Sequence, residues 1–133
     1  MQVNRHRVEV VAGADEKATA YTPRITGQLV NIIYEKPSAD GLDTANFAIT
    51  GEDTGLNIWT ENSVDASKAI SPTQPLHDQA GAERIYAAVE VGSDPQVVSG
   101  PICLADERVK IEITSGGAAK KGTFDIIVVG PSG

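Results

Sequence analysis

The side chains of this sequence that could do chemistry are sparse: two histidines (His6 and His77), one cysteine (Cys103), a set of loop carboxylates (Asp40, Asp43, Glu52 and Asp53) and one tryptophan, Trp59. A serine hydrolase needs a histidine beside the nucleophile and a carboxylate to orient it. His6 falls in the first residues of the chain. His77 directly precedes Asp78, and adjacent side chains in an extended segment point to opposite faces, so the two are badly placed to act together. Ser93 and Ser115 border glycines without forming a Gly-x-Ser-x-Gly elbow. No enzymatic activity is expected from this set.

Metal and ligand chemistry find little more. Structural zinc wants several Cys or His ligands at short spacing, which the sequence does not offer. The loop carboxylates could give oxygens to calcium, but their spacing does not follow an EF-hand loop, and solvated loop residues are the simpler reading. Phosphate-cradling glycine motifs are missing, so neither a metal nor a cofactor is expected. Trp59 shares a strand face with Asn57, a pair able to stack on and hydrogen-bond a sugar ring. The competing reading places the ring in the core or a subunit contact. Cys103, between Ile102 and Leu104, reads as a small packed hydrophobe, and as a lone cysteine it can form no intrachain disulfide.

Positioning these residues falls to a chain of 133 residues, the size of one domain. Eighteen acidic against eleven basic residues give a net charge of −7, which opposes binding to phosphate backbones and anionic membranes. Arg5, His6 and Arg7 form a small basic cluster at the start, and residues 1–7 are expected to be a flexible arm. The start has no apolar signal-peptide core, and no run approaches the roughly 20 apolar residues of a membrane span, so a soluble protein is expected.

The elements read as strands. In residues 108–115, Val109, Ile111 and Ile113 alternate with Lys110, Glu112 and Thr114, the period of a half-buried strand. Residues 123–129 are apolar on both faces, and the intervening glycine-rich linker predicts an antiparallel hairpin. Residues 8–12, 18–22 and 25–35 predict further strands, the last central and twisted or bulged at Gly27. Residues 46–60 predict a second hairpin, reversing at Gly51-Glu52-Asp53-Thr54-Gly55. Residues 61–81 lose periodicity and predict a long irregular loop, a place where interactions concentrate. Short strands follow near residues 86–91, 97–98 and 102–104. The fold expected is all-β: a single antiparallel β-sandwich or jelly-roll-like domain over residues 8–130.

Beyond these patterns, the stretches Ala18-Thr19-Ala20-Tyr21-Thr22-Pro23, Gly27-Gln28-Leu29-Val30, Thr50 through Thr60 and Ala105-Asp106-Glu107-Arg108-Val109-Lys110-Ile111 resemble small structural proteins encoded in tailed-bacteriophage virion gene clusters. The resemblance implies a virion component: first a capsid decoration (cement) protein on the outside of the head, with a head-to-tail joint or tail component as the alternative. It implies the major capsid protein or another virion protein as partner and a homo-oligomer, trimer or dimer. A carbohydrate-binding module centred on Trp59 and Asn57 is a third alternative. For a cement protein, the expected contacts are Arg5 and Arg7, pairing with capsid carboxylates, and the loop carrying His77 and Asp78.

Overall fold

The computed structural model describes residues 2–75, 79–82, 85–86, 96–97 and 99–130. The strands in chain order are β1 (Gln2–Val11), β2 (Ala18–Tyr21), β3 (Ile25–Glu35), β4 (Ala45–Gly51), β5 (Asn57–Val64), β6 (Lys68–Ile70) and β7 (Thr73–Pro75). After these come β8 (Ile85–Tyr86), β9 (Gln96–Val97), β10 (Ser99–Pro101), β11 (Cys103–Glu107), β12 (Val109–Thr114) and β13 (Lys121–Gly130). The fold is all-β, with no helix among the described residues.

Two antiparallel sheets make a sandwich. One runs β1-β13-β3-β11, with β6 also pairing β3; the other runs β2-β12-β4-β5. Each strand that alternates apolar with polar residues turns its apolar face inward. Val8 and Val10 from β1, Phe124, Ile126 and Val128 from β13, and Ile111 and Ile113 from β12 are all buried. Between the sheets, Tyr34 and Phe124 meet Phe47 and Trp59 from the opposite sheet. The Phe47 ring lies 4.9 Å from Tyr34, 5.1 Å from Phe124 and 5.2 Å from Trp59, each nearly edge-on.

Several strand expectations hold, among them the central strand at 25–35 and the hairpin of β4 and β5. The C-terminal hairpin does not. β12 pairs β2 and β4, whereas β13 pairs β1 and β3, so the glycine-rich linker is an arch from one sheet to the other. Its backbone is tied to both sides, Gly116 donating to Glu16 and Ala119 to Ala12. A Cβ on Gly116 would sit 2.8 Å from Leu42 Cδ2, so this glycine lets the arch lie against the core. The flexible arm is also corrected: residues 2–7 are the first half of β1, in unbroken register with β13 from Gln2↔Gly130 to Val11↔Lys121. Apolar residues at Ile127 to Val129 supply the partner that the polar start lacks on its own.

The irregularity of β3 lies around Gly27 as well as at it. Register against β13 slips past Val30, and register against β11 slips between Leu104 and Glu107. Gly27 itself has φ +148°, and a Cβ there would come within 2.6 Å of the Val129 carbonyl oxygen. Only glycine fits that approach. Within the expected loop 61–81, β5 continues to Val64, and β6 and β7 follow. Of the strand expected at 86–91, only Tyr86 is among the described residues, in β8.

At the centre of the core, the Tyr34 hydroxyl is buried without a hydrogen-bond partner among the described residues. Burial disfavours the phenolate and pushes the phenol up to about 12. Folding therefore favours the neutral form, and this contribution is present below the ordinary value of 10 and is lost as pH rises through the folded value. Removing an unsatisfied hydroxyl removes its desolvation cost. Tyr34→Phe is expected to leave stability unchanged or raise it by about 1 kcal/mol in urea unfolding, and to delete a phenol that ionises above the ordinary tyrosine range in an alkaline absorbance titration.

Candidate functional site

Three surfaces compete for a functional role, and the first is the end of the sandwich where the β4–β5 turn meets β11. Glu107, only 4% exposed, turns its carboxylate into that turn. Its Oε1 accepts hydrogen bonds from the Asp53 amide (2.8 Å), the Thr54 amide (2.7 Å) and the Thr54 hydroxyl (2.9 Å). A Cβ on Gly51 would meet this oxygen at 2.5 Å, so glycine makes room for the acceptor. Around it, Arg108 grips Glu52 with two guanidinium nitrogens and lies 4.3 Å over the Tyr21 ring, and Arg24 reaches Asp53 at 3.3 Å.

An open depression of about 410 Å³ borders this cluster, lined in part by Gln74, Cys103 and Glu107. Glu107 is committed to the turn and Glu52 and Asp53 to arginines, so the cluster holds a loop in shape. Of the loop carboxylates weighed for calcium, Asp40 lies 3.9 Å from Lys120, while Glu52 and Asp53 bond arginines. No three His, Cys, Asp or Glu side chains converge as a metal set among the described residues. Cys103 is exposed, contrary to the packed thiol expected. Ile102 and Leu104 both turn inward, and strand alternation sends the residue between them outward.

The glycan pair is likewise separated. Register between β4 and β5 slips so that Ile49 faces Trp59 and Thr50 faces Asn57, leaving Ile58 as the extra residue of a bulge. The bulge inverts the alternation. Trp59 turns into the core at 6% exposure, its indole N–H donating to Glu61 at 3.2 Å, while Asn57 stays outside and accepts from the Thr60 hydroxyl at 2.6 Å. A sugar platform is not formed, and the core reading of Trp59 holds. Glu61 also binds Lys68 at 2.7 Å, which holds its carboxyl below the usual range and ties β5 to β6.

The second surface is the excursion between β6 and β11. β7 pairs β10 and β8 pairs β9 as two-stranded ribbons outside both main sheets. Of the residues in this stretch whose burial is described, Ser71, Thr73, residues 79–82, Ser99 and Pro101 are exposed, and Pro72 and Gly100 are buried. His77 and Asp78 fall in this stretch of sequence but outside the described residues. The third surface is the outer edge of the first sheet, where β1 carries Arg5 and Arg7. Arg7 forks onto Asp125 across the ladder, Nε to Oδ1 at 2.9 Å and Nη2 to Oδ2 at 3.1 Å. The Asp125 side chain is 3% exposed, and this fork is the main cause holding its carboxyl below the usual range. Arg7 therefore has an internal partner, where a capsid carboxylate was expected. Sequence reasoning missed Asp125 and Glu107; a single carboxylate inside Phe124-Asp125-Ile126-Ile127 is the signal that could have found the first.

The sequence matches no protein-family model and no curated protein.

Glu107→Ala strips three hydrogen bonds from the turn and is expected to cost about 2 kcal/mol in urea unfolding, whereas Glu107→Gln keeps an acceptor oxygen and costs less. For Asp125, a depressed carboxyl stabilises the fold above its ordinary value of 3.8, and that contribution is lost as pH falls through the folded value. In Arg7→Met the buried carboxylate loses its partner and burial disfavours its charge. The stability gap between wild type and Arg7→Met is expected to be widest at neutral pH and to close below about pH 4; urea unfolding at a series of pH values measures it.

Proposed function

We propose that this protein is a structural component of a tailed-phage virion, a decoration protein that binds the outside of the head and stiffens it. The observation that carries the reading is the excursion from residue 71 to 101: two-stranded ribbons outside both main sheets, mounted on a sandwich several of whose surface carboxylates are tied into ion pairs. A segment built as paired strands outside the main sheets suits contact with another protein. Many weak contacts of this kind, repeated over a capsid lattice, add up through avidity, and binding only the assembled shell stabilises that shell. The sequence resemblance to virion structural proteins points to the major capsid protein or another virion protein as the partner.

The same excursion would serve a head-to-tail or tail component, and copy number separates the two. Purified protein is expected to add to heads assembled from the capsid protein of the same genome, in many copies per head, and to raise their disruption temperature. Removing residues 76–95 is expected to abolish binding while the sandwich still unfolds cooperatively. Heads that bind no protein in either their unexpanded or expanded form would exclude decoration, and a few copies per virion by quantitative mass spectrometry would place the protein at the joint or tail.

A further inference from the structure

β1 is the outermost strand of its sheet, and β13 is the only described strand that pairs with it. Which of its backbone groups remain free follows from Ala12, whose N–H donates to Lys120 at 2.8 Å and whose carbonyl accepts from Ala119 at 3.1 Å. Antiparallel strands send successive residues' N–H and C=O pairs to alternate sides. Even-numbered residues of β1 therefore bond β13, and Val3, Arg5, Arg7, Glu9 and Val11 aim both backbone groups at the open edge. The side chains of these same residues stand on the exposed face.

Other sheet edges in the molecule are short or broken. β2 has four residues, β6 three, and both β5 and β11 carry register slips. β1 runs ten residues without a slip and keeps two large apolar side chains in water, Val3 at 66% and Val11 at 58% exposure. A long, regular edge of this kind is a template for another strand.

We infer that the occupant is a second copy of the same chain, pairing β1 with β1 antiparallel about a two-fold axis at Arg7. The register is set by charge and apolar matching along the edge. Centred on Arg7, Val3 faces the second copy's Val11, Arg5 faces its Glu9, and the symmetric contacts repeat these on the other side of the axis. The two Arg7 side chains meet at the axis, each already neutralised by its own Asp125. Shifting the axis to Val8 would set Arg5 against Val11 and leave Val3 without a partner. Shifting it to His6 would oppose Arg5 with Arg7. Only the Arg7 register satisfies both the valines and the charges, and it joins the two copies' sheets into one continuous sheet. Self-pairing at this edge is independent of the capsid reading, which rests on the excursion at the other strands.

Sedimentation velocity of the full chain over a concentration series tests the proposal. A concentration-dependent dimer is expected. Arg5→Glu or Glu9→Arg alone should each weaken it by about tenfold, because two attractive pairs per dimer become repulsive. The double variant Arg5→Glu/Glu9→Arg should restore it, and circular dichroism spectra that match wild type show that the single variants are folded. Arg5→Pro removes an outward N–H that the ladder to β13 does not use, and should give a monomer with an unchanged β-sheet circular dichroism spectrum. A monomer at every concentration, a trimer, a dimer indifferent to Arg5→Pro, or a double variant that fails to recover would each overturn it.

Discussion

The fold depends on four rings that meet between the sheets. Tyr34 and Phe124 come from adjacent strands of one sheet, Phe47 and Trp59 from adjacent strands of the other, with ring centres 4.9 to 6.5 Å apart. Edge-to-face contacts of this kind add to the burial of large apolar surface. They also set the register, because a one-residue slip of β3, β4 or β13 would turn a ring from the core to solvent. In a chain with so few aromatic residues, this concentration leaves Val and Ile to fill the flanks, where Val10, Ile49, Ile111 and Ile126 are buried. The bulge at Ile58 is part of the same arrangement, since without it Trp59 would face water.

Much of the strand content was legible because a period of two is a local signal. The alternation of Val109, Ile111 and Ile113 names the buried face of β12 without reference to anything else in the chain. It does not name the neighbour, and the linker after Ser115 is compatible with either a hairpin or an arch. The choice is made by distant contacts, Gly116 against Leu42 and Ala119 on Ala12. The first part of β1, residues 2–7, was hidden for a related reason: Arg5, His6 and Arg7 look solvated until Asp125 and the apolar end of β13 are placed beside them. Trp59 misled in the opposite way, since strict alternation groups it with Asn57 and one extra residue separates them. Cys103 was legible in principle, because two inward neighbours in a strand leave the middle residue on the outer face.

The acidic surface is less available for chemistry than the composition suggests. Glu52, Asp53, Glu61, Asp65, Glu107 and Asp125 all hold cations or backbone amides of this same chain. Two of these bonds join strand ends far apart in the sequence: Lys36, just after β3, to Asp65, just after β5, and Arg108, between β11 and β12, to Glu52, just after β4. Exposed pairs of this sort are worth little individually. Their effect is to orient loops, and a carboxylate fixed in an ion pair is a poor proton donor or acceptor for a bound substrate.

The two surfaces that remain differ in what they can recognise. The excursion is built of narrow two-stranded ribbons outside both main sheets. The β1 edge presents backbone, which any strand can match, so selectivity there must come from the pattern of side chains along it. In β1 that pattern is arranged about its own midpoint: valine near each end, Arg5 and Glu9 equidistant from Arg7, and a counter-ion fixed on Arg7 from within the fold. A foreign antiparallel strand would have to carry this same order from N to C to satisfy it, whereas a second copy carries it by construction. Two sandwiches joined in this way would present their excursions as a symmetric pair, and a doubled low-affinity contact gains from effective concentration what neither copy has alone.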